Sequence, residues 1–323
     1  MDVLTLGNAM VDVLALVTDD QLRDLGLQKN VWGLLDAEEA QRLYAAMPAG
    51  VEVSGGSAAN TAIGVASLGG SSQYIGKVSN DQLGEVFVHD LRSTGVRYET
   101  PVSANGAPTG RCLIFVTPDA HRTMRPYLGA AHELNADDVR EDDVAAADVT
   151  YAEGFWDAEC ARDAFRKALR IAHGSGRKAA LSLSDVVCVN NWRAEFLQLL
   201  EAGEVDVLFA NEAELLALFP DADLGAALER VRDTCPVAAV TRGEHGSIIV
   251  AGDQTQEVAA ARVGDVVDTT GAGDLYAAGF LFGLTRGQPL ARCGELGSLC
   301  AAEVISHVGA RPQRRLAEVV ASS

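Results

Sequence analysis

Aromatic residues are scarce in this chain of 323 residues, at 6%, and positive charge falls well short of negative charge. Lys and Arg number 26 against 45 Asp and Glu, which gives a formal net charge of −19 at pH 7. A field of that sign repels nucleic-acid backbones and anionic lipid headgroups. We therefore expect no nucleic acid and no membrane among the partners, and an anionic substrate would need a locally built site.

Cysteines are also few, and no two of the six form a Cys-x-x-Cys pair or lie near histidines at zinc spacing. This pattern argues against a disulfide framework or a zinc knuckle, and scattered thiols are typical of a reducing, cytoplasmic location. The apolar run at 275–284 is too short to cross a bilayer. The first 20 residues have no basic n-region, and Asp2 and Asp12 interrupt them, so we expect no signal peptide.

Short apolar runs and helical stretches alternate along most of the chain. With 48% apolar and 22% charged residues, the composition is that of a globular protein. Strands joined by helical crossovers predict an α/β fold with a doubly wound, mainly parallel sheet and helices on both faces. The predicted strands are Val3–Leu6, Tyr74–Val78, Val149–Ala152, Ala179–Leu183, Val205–Ala210 and Val237–Thr241.

One region departs from this alternation. The segments 110–117 and 122–128 flank a Pro-Asp-Ala-His turn and predict a β-hairpin. Residues 11–33 contain no clear helix, so we expect a small β-lid built from about 11–35 and 97–128. No linker or repeat is visible, which predicts a single domain over 1–323, with a surface tail from Arg311.

The segment DTTGAGD, which ends at Asp274 and precedes an apolar helix, is the sharpest chemical signal. Glycines beside a helix start leave backbone N–H groups uncovered, and those groups with the helix dipole favour negative charge. Asp274 could take a proton from a hydroxyl while the N–H groups of Gly271, Ala272 and Gly273 hold charge on a phosphoryl group. A plain helix N-cap is the alternative.

A second glycine pair, Gly55 and Gly56, also precedes a helix of small residues. A Gly-Gly turn lets the backbone approach a ligand closely. Asn60, one turn into the helix, can both donate and accept toward sugar hydroxyls. These three residues are candidates for contact with a substrate, and a tight turn packed on the sheet is the alternative.

In this order and at this distance, the two segments resemble the paired signatures of the ribokinase (PfkB-type) carbohydrate kinase family. Residues 54–62, continuing through Gly69, Gly76 and Gly84, resemble the N-terminal signature, and DTTGAGD matches the C-terminal signature without departure. The resemblance covers nearly the whole chain. It implies the ribokinase-like fold, Mg-ATP as phosphoryl donor and Asp274 as general base.

The resemblance also gives a role to the segment GNAMVD at 7–12, which is similar to the family's opening motif. There Asp12, with Asn8 assisting, would accept two hydrogen bonds from a vicinal diol. The two oxygens of a carboxylate suit a ribose 2′,3′-diol. Without the resemblance, Asp12 is a turn residue after the first strand.

On the nucleotide side, Asn211 and Glu214 resemble the family's Asn-x-x-Glu motif. Asn211 would support the phosphates, and Glu214 would position Mg²⁺ through water, since Mg²⁺ keeps several waters and bridges nucleotide phosphates. A capped helix start is the alternative. Thr241, Gly243 and Gly246 fit the family's Thr-x-Gly-x-x-Gly loop and would lie under ATP.

Some positions keep two interpretations. Arg242 lies where the family usually has an apolar or small residue, so it either contacts phosphate or is exposed. Asp268 and Thr270 match positions that bind a monovalent cation in cation-activated members, with hairpin capping as the default. Arg122 is our candidate among the lid arginines for reaching the ATP phosphates when the lid closes.

The identity of the phosphoryl acceptor is less constrained. The segments GGSAANTA and AAEVISHVGARP make the chain most similar to the bacterial adenosine kinase-like branch of the family. A nucleoside base needs a flat apolar slot. Phe155 and Trp156 follow a strand at its carboxyl end, where open α/β sheets bind ligands, and Trp32 lies in the presumed lid. Core packing is the alternative for each.

We therefore predict ATP-dependent transfer of the γ-phosphoryl group to a primary hydroxyl, with the 5′-hydroxyl of adenosine as first choice. One alternative is a sugar kinase of the same fold that acts on ribose, fructose or a keto-deoxy sugar acid. The other is a non-catalytic nucleoside-binding protein, against which the presence of Asp274 and Glu214 argues. Both a monomer and a homodimer are compatible with the sequence.

Overall fold

A large, mainly parallel sheet forms the centre of the protein. The structure is a computed structural model that describes residues 1–29, 31, 33–119, 121–156 and 158–322. Strand β12 pairs antiparallel with β11 and β13, and the other pairings of this sheet are parallel. In sheet order the strands are β13 (Gln254–Val258), β12 (Ser247–Ala251), β11 (Val237–Thr241), β10 (Val207–Asn211), β9 (Lys178–Ser182), β8 (Val149–Ala152), β1 (Val3–Leu6), β4 (Ser72–Ile75) and β5 (Arg97–Tyr98).

Helices cover both faces of this sheet. Side chains of β1 alternate between two core clusters, because Val3 packs on one face and Leu4 and Leu6 on the other. This arrangement confirms the predicted ribokinase-like α/β fold. The helices are α1 (Asp19–Asp24), α2 (Ala37–Ala46), α3 (Ser57–Ser67), α4 (Gln82–Ser93), α5 (Glu141–Ala145), α6 (Glu159–Gly174), α7 (Val186–Glu201), α8 (Glu212–Leu218), α9 (Leu224–Thr234), α10 (Ala272–Thr285), α11 (Leu290–Val304) and α12 (Leu316–Ala321).

The helix starts follow from local sequence. Many of these helices begin at a short polar residue whose side chain accepts a hydrogen bond from the first turn, which satisfies an otherwise unpaired N–H group. The Asp and Asn residues that do so are Asp36, Asp81, Asp185, Asn211 and Asp223.

A second, small sheet lies against the carboxyl edge of the large one. Its strands, in order, are β3 (Val51–Gly55), β2 (Met10–Leu16), β6 (Gly110–Val116) and β7 (Arg122–Tyr127). The predicted hairpin forms its β6–β7 pair, and β2 joins β6 in parallel.

Two expectations about this small sheet were wrong. Residues 11–33 include helix α1, because Thr18 and Gln21 form a capping box that begins it. The boundary at 97 was also wrong, because Arg97–Tyr98 pairs with β4 of the large sheet, where the buried Tyr98 ring stacks 6.2 Å from that of Tyr74. Strand β3, which the sequence pattern did not reveal, completes the small sheet instead.

The expected surface tail from Arg311 was also wrong. Leu316, the first residue of α12, is fully buried, and its N–H group donates to the Ser67 hydroxyl over 2.9 Å. The Leu316 side chain packs in the core, so the segment that leads to it is held against the protein. Among the described residues, no helix is both long and apolar enough to cross a membrane.

Candidate active site

The two glycine-rich segments meet at Asp274. Helix α10 begins at Gly271, whose φ of 79° is left-handed, and Asp274 lies in its first turn. The Asp274 carboxylate accepts hydrogen bonds from the Ser57 hydroxyl over 2.6 Å and from the Asn60 amide over 2.7 Å. Ser57 and Asn60 lie at the start of α3, directly after Gly56. The first glycine-rich segment therefore fixes the orientation of Asp274, the candidate base.

The electrostatics of Asp274 are balanced between burial and donors. Burial raises the pKa of its carboxyl, and the hydrogen bonds from Ser57 and Asn60, together with the charge of Arg311, oppose that rise. The other amide atom of Asn60, Oδ1, is buried without a hydrogen-bond partner in the described part of the chain. An acceptor atom therefore points to a place where a ligand hydroxyl could donate to it.

The anion-binding turn differs slightly from expectation. The Ala272 N–H group donates to the Thr269 carbonyl over 3.2 Å. Within the described ranges, no acceptor in the protein pairs with the N–H groups of Gly271 and Gly273. Two of the three expected donors therefore remain available for a phosphoryl oxygen.

Asp12 lies across from this turn, on β2. A Cβ atom added to Gly55 would lie 2.6 Å from the carboxyl atoms of Asp12, so the carboxylate faces the Gly55 backbone. Burial raises the pKa of Asp12 to about 7, and the charge of Arg311 opposes the rise. None of the described residues donates a hydrogen bond to this carboxylate.

Gly56, which follows Gly55, is required by the backbone itself. Its φ is 91°, and a Cβ atom there would lie 2.4 Å from the Asn8 carbonyl oxygen. The Asn8 amide nitrogen donates to Glu153 over 3.0 Å and to the Phe155 carbonyl over 2.9 Å. The structure therefore brings Asn8, Asp12, Gly55 and Gly56 together, with Asn8 held from behind.

The sequence interpretation missed Glu153. Its carboxylate accepts from the N–H groups of Asn8 over 2.7 Å and Ala58 over 2.8 Å, and burial raises its pKa to about 7. The signal that could have revealed it is an acid directly after the apolar strand β8, at the carboxyl end of a parallel sheet. Glu153 connects the first residues after β1 to the start of α3.

The candidate aromatic residues divide between core and cleft. Trp156 is 1% exposed and packs its ring 4.7 Å from that of Phe196 and 5.7 Å from that of Phe165. The core interpretation is therefore right for Trp156, which cannot stack on a base. Phe155 is half-buried beside Asn8, and Trp32 lies outside the described residues.

An apolar surface next to Asp12 was missed because β2 itself was missed. Alternation along the strand puts Leu14 and Leu16 on the same face as Asp12. Across the strand pair, Leu14 is in register with Ile114 and Leu16 with Val116. Leu16 is 81% exposed, so this face of the small sheet offers uncovered apolar surface beside a carboxylate.

Arg122 joins the small sheet to the anion-binding turn. It forms an ion pair with Asp268 and donates to the Thr270 hydroxyl. Although burial raises it, the pKa of Asp268 is held below its ordinary value by the N–H groups of Gly309 and Thr270 and by Arg122. Asp268 thus caps the turn. The side chain of Arg122, from β7, contacts this turn close to where a phosphoryl group would bind.

The candidate nucleotide residues lie at the ends of neighbouring strands. Asn211 and Thr241 are in register at the carboxyl ends of β10 and β11. The turn after β11 contains Gly243 and Gly246, with φ values of 56° and 79°. Arg242 pairs with Glu212 over 3.1 Å, so it is neither free nor fully exposed in this state.

Glu214 forms a capping box with Asn211. Its two carboxylate oxygens accept from the Asn211 backbone over 2.9 Å and side chain over 2.7 Å. Burial raises the pKa of Glu214 to about 7, and the negative charges of Asp185 and Asp274 add to the rise. A divalent cation would relieve this repulsion, so the carboxylates fit Mg²⁺. The described residues contain no cluster of three or more His, Cys, Asp or Glu side chains that could hold a metal ion.

A phosphoryl-transfer enzyme with an alcohol acceptor is the class of protein that this fold and this site define. The chain belongs to the pfkB family of carbohydrate kinases, whose model matches residues 34–315. Members of this family use ATP with Mg²⁺.

The relatives agree with this membership. The chain is 50% identical to a solved adenosine kinase from Sinorhizobium meliloti, with a TM-score of 0.93 over 99% of this chain and 98% of that one. It is 48% identical to a probable sugar kinase protein from Rhizobium etli, with the same TM-score and coverage. It is also 31% identical to the adenosine kinase of Saccharomyces cerevisiae over 95% of both chains. The predicted family, fold and adenosine kinase-like phosphotransferase activity are confirmed.

Proposed function

We propose that this kinase phosphorylates the 5′-hydroxyl of adenosine. The observation that carries the proposal is the face of β2, where the carboxylate of Asp12 is followed by the apolar side chains of Leu14 and Leu16. A ribose diol pairs with a carboxylate, and a flat base buries its faces against apolar surface. The adenosine kinases among the solved relatives support the same acceptor.

Acceptor binding involves both sides of the cleft. Asp12 accepts from the 2′- and 3′-hydroxyls of the ribose, and Asn8 assists. The backbone at Gly55 and Gly56 approaches the sugar, and the open Oδ1 of Asn60 accepts from a hydroxyl. These contacts direct the 5′-hydroxyl toward Asp274, and the half-buried Phe155 borders the sugar.

Asp274 takes the proton of the 5′-hydroxyl as that oxygen bonds to the γ-phosphorus of ATP. The bond from this phosphorus to the β,γ-bridging oxygen breaks, and ADP leaves. Ser57 and Asn60 hold its carboxylate in place. The N–H groups of Gly271 and Gly273 stabilise the negative charge of the transferred group, with Ala272 between them in the turn. Positioning and electrostatics dominate phosphoryl transfer, so a rigid base and a preformed anion site supply most of the catalysis.

The nucleotide occupies the edge formed by β10 and β11. Asn211 supports its phosphates, and Thr241, Gly243 and Gly246 lie under its ribose and phosphates. Glu214 would position Mg²⁺ through water, and the ion would neutralise phosphate charge on the nucleotide. A monovalent cation at Asp268 and Thr270, the other interpretation of these residues, would compete with Arg122, which contacts both side chains.

Several broader features belong to this proposal. No disulfide joins any of the six cysteines, all of which lie in the described part of the chain, and this supports action in the cytoplasm. We propose a single domain, present as a monomer or homodimer, whose small sheet closes as a lid and excludes water. The contact of Arg122 with the anion-binding turn supports closure of that sheet over the site.

A sugar kinase is the second candidate, because one solved relative of 48% identity is described as a probable sugar kinase. A coupled ADP-release assay with Mg-ATP separates the two. The panel is adenosine, other nucleosides, ribose, fructose, fructose 6-phosphate and a keto-deoxy sugar acid. We expect the highest kcat/KM with adenosine. Turnover with a sugar alone would overturn the nucleoside proposal and leave the kinase chemistry intact.

A further inference from the structure

Arg311 is a half-buried cation at the acceptor site that the mechanism above does not use. Its Nε atom donates to the Ser54 carbonyl over 2.7 Å. Its Nη2 atom donates to the Ser54 hydroxyl over 3.1 Å and to the Gly55 carbonyl over 3.3 Å. The guanidinium therefore binds the end of β3, immediately before Gly56, through three hydrogen bonds.

Gly309 and Ala310, the two residues before Arg311, contact the anion-binding turn. The Gly309 N–H group donates to Asp268 over 2.7 Å. A Cβ atom on Gly271 would lie 2.7 Å from that of Ala310, so Ala310 packs directly against the start of α10. The segment 309–311 thus contacts both halves of the site, the turn that binds phosphoryl charge and the loop that faces the acceptor.

Charge connects Arg311 to Asp12. Both residues lie against Gly55: Arg311 donates to its carbonyl, and a Cβ atom added to Gly55 would lie 2.6 Å from the carboxyl atoms of Asp12. Burial lowers the pKa of Arg311 to about 10, so it stays protonated at neutral pH. Of the charges that act on Asp12, that of Arg311 most strongly favours the ionised form. The groups that face Asp12 and Arg311 from the surrounding elements are Asp274, Asp268, Arg122, Asp90, Cys112 and Tyr74.

We propose that Arg311 is a positioning residue for acceptor binding: it fixes the end of β3 through the carbonyls of Ser54 and Gly55, and its positive charge beside Gly55 supports the Asp12 carboxylate that accepts the sugar hydroxyls. The inference rests on the proposed function in one respect, the binding of an acceptor at Asp12. Its Nη1 atom is buried with no partner in the described part of the chain. The Arg311 guanidinium therefore keeps a buried donor nitrogen that the described residues do not use.

Two substitutions separate position from charge. Arg311→Lys keeps the charge but cannot grip two carbonyls in a fork, and Arg311→Gln removes the charge as well. We expect both to raise the acceptor KM, at least about threefold for Lys and tenfold for Gln, with the KM for ATP unchanged. In Arg311→Gln the acidic limb of kcat/KM for the acceptor should also move to higher pH, because Asp12 loses its supporting charge.

Arg314→Gln is the matched control, since it removes an exposed arginine three residues away. It should leave both KM values and the pH profile unchanged. An unmoved acidic limb in Arg311→Gln, or an equal rise in the KM for ATP, would overturn the proposal. If Arg311→Gln does not fold, an unchanged acceptor KM in Arg311→Lys would overturn the positioning role.

A second readout does not depend on turnover. With ¹³C-carboxyl-labelled aspartate, the Asp12 resonance is assigned by its loss in Asp12→Asn and titrated without substrate. Its midpoint should be higher in Arg311→Gln than in the wild type and Arg314→Gln, and equal midpoints would contradict the proposal. The kinetic test uses whichever acceptor the wild type prefers, so failure of adenosine as a substrate would not be mistaken for failure of Arg311.

Discussion

At the scale of single residues, the site depends on carboxylates whose burial and partners differ. Asp274 is held by two donors from α3, whereas Asp12 receives no hydrogen bond from the described residues. The first arrangement fixes a base in one orientation. The second leaves both carboxylate oxygens open for a ligand with two hydroxyls.

Replacement of Asp274 by Asn should remove the general base while keeping the shape of the side chain. We expect kcat to fall by at least about 100-fold, with a small change in KM. Steady-state ADP release measures this, with Asp265→Asn, an exposed site before the same turn, as control. A kcat near that of the wild type would remove Asp274 from the mechanism.

Acceptor affinity should depend on pH through Asp12. Because burial raises the pKa of this carboxyl to about 7, it is increasingly protonated below that pH and cannot accept from both hydroxyls. Calorimetric titration should therefore show adenosine affinity rising with pH through this range. In Asp12→Asn the affinity should be lower and nearly independent of pH. The same dependence in the variant would assign the titration to another group.

At the scale of elements, the start of α10 is constrained both by its backbone and by its neighbour. Gly271→Ala meets left-handed strain and a contact with Ala310, whereas Gly287→Ala, at φ 65° with nothing within 4 Å, meets strain alone. We expect Gly287→Ala to cost about 1 kcal/mol of unfolding free energy and Gly271→Ala about 2 kcal/mol or more. Denaturant unfolding measures the difference, and equal losses would show that Ala310 does not constrain the turn.

The strand β7 supplies a fixed cation to the anion-binding turn through Arg122. Wild-type kcat should therefore change by less than about twofold when choline replaces K⁺, since the charge of Asp268 is already compensated. In Arg122→Gln, kcat should fall and K⁺ should restore part of it. Strong activation of the wild type by K⁺ would show that a monovalent cation binds despite Arg122.

At the scale of the whole molecule, the large sheet could be read from the sequence because its strands are short apolar runs between helices. The two glycine-rich segments could be recognised because left-handed backbone and close contacts at Gly56 and Gly271 require glycine. The small sheet was only half visible, since β3 (VEVSG) is short and carries no continuous apolar run. The role of the chain's end was invisible, because Arg311 gains meaning only from contacts with Ser54 and Gly55, far away in sequence.

The residues of the site, like the fold, could be predicted only in part from the sequence. Motif chemistry singled out Asp274, Gly271 and Asn60 separately, because each lies at a helix start whose geometry the glycines fix. That Asn60 donates to Asp274 is visible only in the structure. It could not place Glu153, whose partners lie just after β1 and on α3. It left Trp156 open between cleft and core, because tertiary packing alone decides where an aromatic residue after a strand points.

Transfer of a phosphoryl group to the 5′-oxygen of adenosine, with Asp274 as base, can be followed by ³¹P NMR of a reaction containing the protein, Mg-ATP and adenosine. We expect AMP and ADP in equal amounts, with no product from 5′-deoxyadenosine and at most a trace from the Asp274→Asn variant. ADP without AMP would overturn adenosine as the acceptor, and AMP formed equally well by that variant would overturn Asp274 as the base.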